Sequence, residues 1–315
     1  MRQYLARRLL LSIFVIFGVT LVAFGTMQFI PSDVVDIMLG QQRSPEAEAA
    51  LRHNLGLDQP PLQRYLLWLG GVLRGDLGKS LRTTEPVMDA IRQRLPVTAE
   101  LALLATLIGI GIGVPAGIVA AVRQYSLADK LSTAVSMVGL SMPDFWLATL
   151  LILAFSVTWV LLPPGGLLIS PIEDLGANLK RMIMPALSMG LPASAVYFRM
   201  TRSSMLEVIR SEYMLTAYSK GLTERRAILV HALKNALIPV MTVTGMEVTW
   251  MLGGSFIVES IFSLPGLGRA TVEAIYERDY VVLQGCLLVY SLIVVVVSIG
   301  VDVLYAWLDP RIRYE

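Results

Sequence analysis

Apolar runs of helical length alternate with short polar stretches through most of the chain. A helix needs about 20 apolar residues to cross the hydrocarbon of a bilayer. Six segments qualify, at approximately 9–30, 97–122, 133–162, 182–199, 239–261 and 281–308. The third is overlong for one straight span, and Pro143 breaks it by removing a backbone donor and crowding the preceding turn. The fourth is short and carries Pro185 and Pro192. The pattern predicts an all-α integral membrane protein with six transmembrane helices. It divides into a first helix with an extracytoplasmic segment, residues 1–94, and a core of five helices, residues 95–315, interrupted by a polar loop at 200–238.

The N-terminal run from Leu9 to Ile30 exceeds the apolar core of a secretion signal, and no small-residue cleavage site follows it. An uncleaved first helix is expected. Orientation follows from lysine and arginine in the short loops. The N-terminus has three, the 123–130 loop two, the 199–238 loop seven and the tail two, against two each in the 164–182 and 262–280 loops. Both termini and the 200–238 loop are therefore expected in the cytoplasm. Segment 31–94 falls outside, where Ser44 is expected to cap a short helix stopping near Gly56, and PPLQRYLLWLGGVLRG reads as an amphipathic helix with Trp68 as an interfacial anchor.

Within the spans, Gly109, Gly113 and Gly117 recur every four residues and share one helix face, where a neighbouring helix can approach closely. The ridge serves either the translocation bundle or ordinary packing. Glu247 is costly at membrane depth and should face a polar cavity or a partner. With Trp250 and Gly253 it forms the pore-lining candidates; a hydrogen bond to a neighbouring helix is the alternative for Glu247.

Composition agrees with the pattern. The chain is 55% hydrophobic and 16% charged, where soluble domains average about 25% charged, and its mean hydropathy is +0.65. A net charge of +2 gives no argument for nucleic acid. One cysteine and two histidines build neither a disulfide nor a metal framework. Gly78-Lys79-Ser80 resembles the end of a phosphate-binding loop, but Leu73 stands where that loop requires glycine. Ser141 and His231 fall at different depths, so no nucleophile–base pair forms, and Ser141 is expected to bond helix backbone near Pro143. No catalytic or metal-binding residue emerges.

The 200–238 loop is too patterned for a linker. A helix through Glu212–Ala217 ends near Gly221, where glycine reaches the left-handed conformation that stops a helix. Thr223 and Glu224 begin another, threonine as cap and glutamate at the positive end, with Ile228, Leu229, Leu233, Ala236 and Leu237 as its apolar stripe before Pro239. A short helix turned by a glycine beyond the membrane suits insertion into a cleft on another protein.

Five stretches in order, LGLDQP (55–60), RGDLGKS (74–80), EYMLTAYSKGLTERRAILVHALKNALIP (212–239), FSLPGLGR (262–269) and LDPRIRY (308–314), give the chain a nearly end-to-end resemblance to the dipeptide/oligopeptide/nickel permeases of ATP-binding cassette importers. The resemblance implies the type I importer permease fold in a bacterial or archaeal inner membrane. It implies a second, similar permease, two ATPase subunits that bind ATP and magnesium, and an extracytoplasmic solute-binding protein, with no cofactor on this chain. Residues 212–221 resemble the coupling loop that docks on the ATPase, with Leu215-Thr216-Ala217 where the general pattern has Glu-Ala-Ala. By that match Tyr213, Thr216, Ala217, Lys220 and Gly221 are expected to dock. Peptide is the expected solute, with nickel chelates and glycosides as alternatives. A stand-alone secondary transporter is the competing class, but the halves 1–157 and 158–315 show no internal repeat of the kind such folds display.

Overall fold

A computed structural model describes residues 2–29, 35, 44–54, 58–166 and 169–308. Its helices are α1 (Arg2–Phe29), α2 (Pro45–Asn54), α3 (Pro61–Leu73), α4 (Val87–Val122), α5 (Leu127–Ser141) and α6 (Asp144–Thr158). There follow α7 (Leu175–Ile209), α8 (Glu212–Ser219), α9 (Glu224–Gly254), α10 (Phe256–Ile261), α11 (Leu267–Tyr276) and α12 (Tyr280–Leu308). Among the described residues no strand forms, only one antiparallel bridge between Lys79 and Pro86. Gly56 and the tail beyond Leu308 lie outside the described residues.

Helices α4 and α9 and the Tyr280–Val301 part of α12 are each long and apolar enough to cross a membrane, and α5 with α6 does so as a pair bent by 99°. That bend falls at the predicted break, with Pro143 at the start of α6 and Ser141 Oγ donating to the Met137 carbonyl at 3.0 Å. α1 contains a shorter apolar stretch, Leu10–Gly25. α7 supplies the remaining predicted segment.

Several helices overrun the apolar windows that announced them. α4 begins at Val87 and passes through Pro96, and α7 spans 175–209 rather than 182–199. Hydropathy registers only the part of a helix in lipid, whereas these rods continue into polar surroundings. α9 likewise runs through Pro239 without a stop, so the second helix of the loop and the fifth span are one element, containing a π-helical turn at Ala227–Ala232.

α7 is the central helix, packing most extensively on α4 and then on α9, α5 and α6. Lipid offers helices no hydrophobic incentive to associate, so close van der Waals contact must hold them. The glycines of α4 permit that contact. A β-carbon at Gly109 would lie 2.9 Å from the Tyr197 ring, and one at Gly117 2.8 Å from the Phe198 carbonyl oxygen. At Gly113 it would overlap the Ser194 carbonyl. The surrounding core joins Leu101, Met182, Met184, Tyr197, Phe262 and Leu264.

α3 lies against α1. Thr20 and Tyr65 share a hydrogen bond of 2.8 Å, and Phe24 meets the rings of Tyr65 and Trp68 at 5.4 and 5.8 Å. Leu62, Leu66, Leu67 and Leu73 remain exposed. Trp68 thus packs on the first helix.

Gly113→Val is expected to destabilise the folded protein by roughly 1–3 kcal/mol through overpacking, read as a lower Tm in detergent. Gly111→Val, facing open space, serves as control; equal losses in both would refute the contact.

Candidate functional site

One end of the bundle is built on α8. Apolar residues at an i, i+3 spacing, Met214 and Ala217, turn inward and are buried with Met205, Ala227, Ile228 and Ala232. This fastens α8 both to the end of α7 and to the π-helical turn of α9. The outward face carries Tyr213, Leu215, Thr216, Tyr218 and Lys220, with Leu215 64% exposed. Asn235 Nδ2 donates to Tyr213 Oη at 3.0 Å, steadying the ring on the α9 side. The helix closes as Lys220 and Gly221 N–H groups donate to the Thr216 and Tyr218 carbonyls at 3.1 and 2.9 Å. Gly221 has φ +79°, the left-handed stop expected of it.

Three expectations for this region are corrected. Ala217, expected among the docking residues, is buried within the chain and positions the helix instead. Thr223 occupies the capping position of α9, yet its hydroxyl makes no capping bond; its backbone carbonyl accepts from Ala227 N–H at 2.9 Å. Leu229 is 49% exposed, and Ala232 takes its place on the buried stripe, because the π-helical turn shifts the register.

Beside α8, the turn between α4 and α5 is clamped to α7. Arg202 donates through Nε and Nη2 to the two oxygens of Asp129 at 2.6 and 2.9 Å, and Tyr125 N–H donates to Asp129 at 2.9 Å. Asp129 is buried. A bidentate pair of this kind is directional as well as strong. Arg210 adds a bond to Gln124 at 3.0 Å.

An open cavity of about 960 Å³ lies between α9 and α12. Trp250 and Gly253 line it together with Thr249, Ser298 and Asp144. Glu247, expected beside them, is not among the lining residues; it is half-buried and within electrostatic reach of Tyr197 and Asp144. The structure therefore brings two of the three pore candidates to one cavity and turns the third aside.

The opposite end of the bundle gathers residues the sequence left scattered. Glu259, wholly buried on α10, accepts from Thr98 Oγ1 at 2.7 Å, Ser255 Oγ at 2.9 Å and the Arg269 N–H at 2.8 Å. Thr98 in turn accepts from Leu267 N–H at 2.8 Å. The carboxylate thus meets the N-terminal turn of α11, where backbone donors and the helix dipole favour negative charge. A β-carbon at Gly266 would occupy the space of that carboxylate, which accounts for glycine in the FSLPGLGR stretch. Nearby, Arg94 and Arg269 donate to Glu273 at 3.0 and 2.8 Å. Partial burial raises the Glu273 carboxyl, but the hydrogen bonds from Arg94 and Arg269 outweigh it and hold the group below its ordinary value of 4.5. The RGDLGKS stretch joins this end through Ser80, whose hydroxyl donates to Asp279, so Gly78-Lys79-Ser80 serves as a structural turn.

Sequence reading missed Asp144 and Glu259. Asp144 directly follows the predicted break, which was the available signal. Glu259 sits in the apolar run FIVESI, and its partner Thr98 is 161 positions away.

The family model described as "Binding-protein-dependent transport system inner membrane component" matches residues 113–314. A companion model for the N-terminal part of such membrane components matches residues 1–102. Over 100% of both chains, this one is 42% identical to the dipeptide transport system permease protein DppB of Alkalihalophilus pseudofirmus. It is 40% identical to DppB of Escherichia coli, again over the full length of both. For the di/tripeptide transport system permease protein DppB of Pseudomonas aeruginosa the value is 41%, with the same coverage. Among solved structures, the inward-facing MetNI methionine ABC transporter matches 72% of this chain and 100% of its own at TM-score 0.56 and 18% identity. An amino acid ABC transporter with histidines matches 69% and 94% at TM-score 0.52 and 16% identity. These two are likenesses of fold.

Glu259→Gln sets an amide donor against at least one buried donor and is expected to cost about 1–3 kcal/mol, measured as a lower Tm; an unchanged Tm would refute the node. For Glu273, a lowered carboxyl stabilises the fold above its ordinary value of 4.5 and loses that effect as pH falls through the lower, folded value. The Tm difference between wild type and Glu273→Gln should hold steady from neutral pH to roughly pH 5 and shrink below about pH 4.

Proposed function

The chain belongs to the inner-membrane components of binding-protein-dependent transport systems, and from that premise we propose that it is the permease subunit of an ATP-driven importer of di- and oligopeptides. The peptide class is supported by full-length relatives, about 40% identical, that carry the name of dipeptide permeases. The observation that carries the coupling role is α8, a short helix fastened to α7 and α9 by Met214 and Ala217 while Tyr213, Leu215, Thr216 and Tyr218 face outward.

In this reading a second permease and two ATPase subunits complete the assembly, and a solute-binding protein delivers peptide from outside. ATP and magnesium belong to the ATPase subunits, and this chain contributes motion rather than chemistry. The loop charges support cytoplasmic termini and a cytoplasmic α8. One ATPase grips the exposed face of α8 near Tyr213, Thr216, Lys220 and Gly221. When the ATPases close, α8 moves with them and draws the end of α7 along. The Arg202–Asp129 pair carries that displacement to the α4–α5 turn. The cavity lined by Trp250 and Gly253 then opens alternately to either side. ATP biases the bundle because it binds one arrangement better than the other.

Leu215→Asp and Tyr213→Ala remove exposed apolar contact without touching the buried face of α8. Each is expected to weaken ATPase association by about 2 kcal/mol or more, roughly 30-fold, with loss of peptide uptake in proteoliposomes while membrane insertion continues. Wild-type uptake in Leu215→Asp would refute the docking face, and uphill uptake by the chain reconstituted without ATPases would refute the importer.

A further inference from the structure

The cavity between α9 and α12 is largely apolar, with one acidic side chain in its wall. Asp144 opens α6 just past the 99° bend and faces this space along with Thr249, Trp250 and Ser298. Among the described residues no cation or hydrogen-bond donor offsets its partial burial. Glu247 is in the same position, and the only charge it feels among them is that of Asp144. An intramembrane carboxylate without a partner is among the most costly groups a helix bundle can hold, and it marks a ligand path when its counter-charge is missing.

Glu247 stands off the cavity wall but within electrostatic reach of Asp144. Among the described residues both carboxylates lack a group that is positive and carries several donors.

An alkylammonium fits that description, with one positive charge and three N–H donors on a small tetrahedral head. Every unmodified peptide presents such a group at its N-terminus, whatever its side chains. Resting on the peptide reading above, we propose that Asp144, seconded electrostatically by Glu247, holds the terminal ammonium of the peptide during passage. The cavity's volume of about 960 Å³ lies at the upper end of ordinary small-ligand sites, roughly 300–1,000 Å³. Trp250, 73% exposed, offers an aromatic face to the peptide body behind the ammonium. Recognition of this kind reads the end of a peptide and ignores its sequence, as a carrier of many peptides requires.

The test uses the complete assembly of this chain with its partner permease and ATPases, and dialanine and N-acetyl-dialanine as probes. Binding is followed without the solute-binding protein, so that its own preference does not enter, as the fluorescence change lost in Trp250→Phe. Uptake is measured in proteoliposomes with the solute-binding protein saturating. Wild type should bind dialanine roughly 10- to 100-fold more tightly than N-acetyl-dialanine, the range of a charge-assisted hydrogen bond. Asp144→Asn should erase that preference and reduce dialanine uptake by a similar factor, and Asp144→Glu should restore most of both. Should Asp144→Asn fail to co-purify with its partners, the same comparison is made on Glu247→Gln, where a several-fold loss of preference is expected. Equal binding of the two probes by wild type, or an undiminished preference in Asp144→Asn, would overturn the proposal and leave the peptide reading standing. Asp144→Glu restoring assembly but not the preference would assign the carboxylate to a cation on the partner permease and overturn it too. Failure of wild type to take up any dipeptide would remove the peptide reading itself, and this proposal with it.

Discussion

The contact of α4 with α7 is the constraint that sets the other placements. Side chains are absent along the Gly109, Gly113 and Gly117 face, so backbone meets backbone and the two helices share a core in lipid. A gap of about 0.5–1 Å forfeits roughly a quarter to a half of the dispersion attraction, so this seam is sensitive to small displacements. The remaining spans are arranged around it, α5, α6 and α9 on α7 and α12 on α9.

Polar chemistry is kept to the two ends of that seam. At one end, Glu259 ties α10 to Thr98 of α4 and to the first turn of α11. At the other, Asp129 and Arg202 tie the α4–α5 turn to α7, and Met205 and Met214 join α7 to α8. Both nodes satisfy buried charge with several donors, the condition under which such groups fix a geometry rather than weaken it. The middle, by contrast, is apolar and small-residue packed, with Asp144 and Glu247 among its exceptions.

Much of this was legible in the residues. Pro143 marked the bend because a proline cannot continue the backbone ladder, and Gly221 marked the end of α8 because few residues reach its φ. The full lengths of α4 and α7 were hidden, since hydropathy reports where lipid begins and not where a helix stops. The stripe on α9 was misassigned at Leu229 because a 3.6-residue period was assumed through a turn that is π-helical. Glu259 was invisible for another reason: its partners come from other helices, and no local pattern announces a carboxylate buried by tertiary contact. Asp144 reads locally as an ordinary acidic helix start.

The length of α7 sets where the machinery stands relative to the bilayer surface. Its 35 residues make a rod roughly 52 Å long, against a hydrocarbon slab of about 30 Å. The excess carries the end of the rod that joins α8 beyond the hydrocarbon. A bilayer a few ångströms thicker or thinner then changes only where along the rod the interface falls, and leaves the joint with α8 as it is.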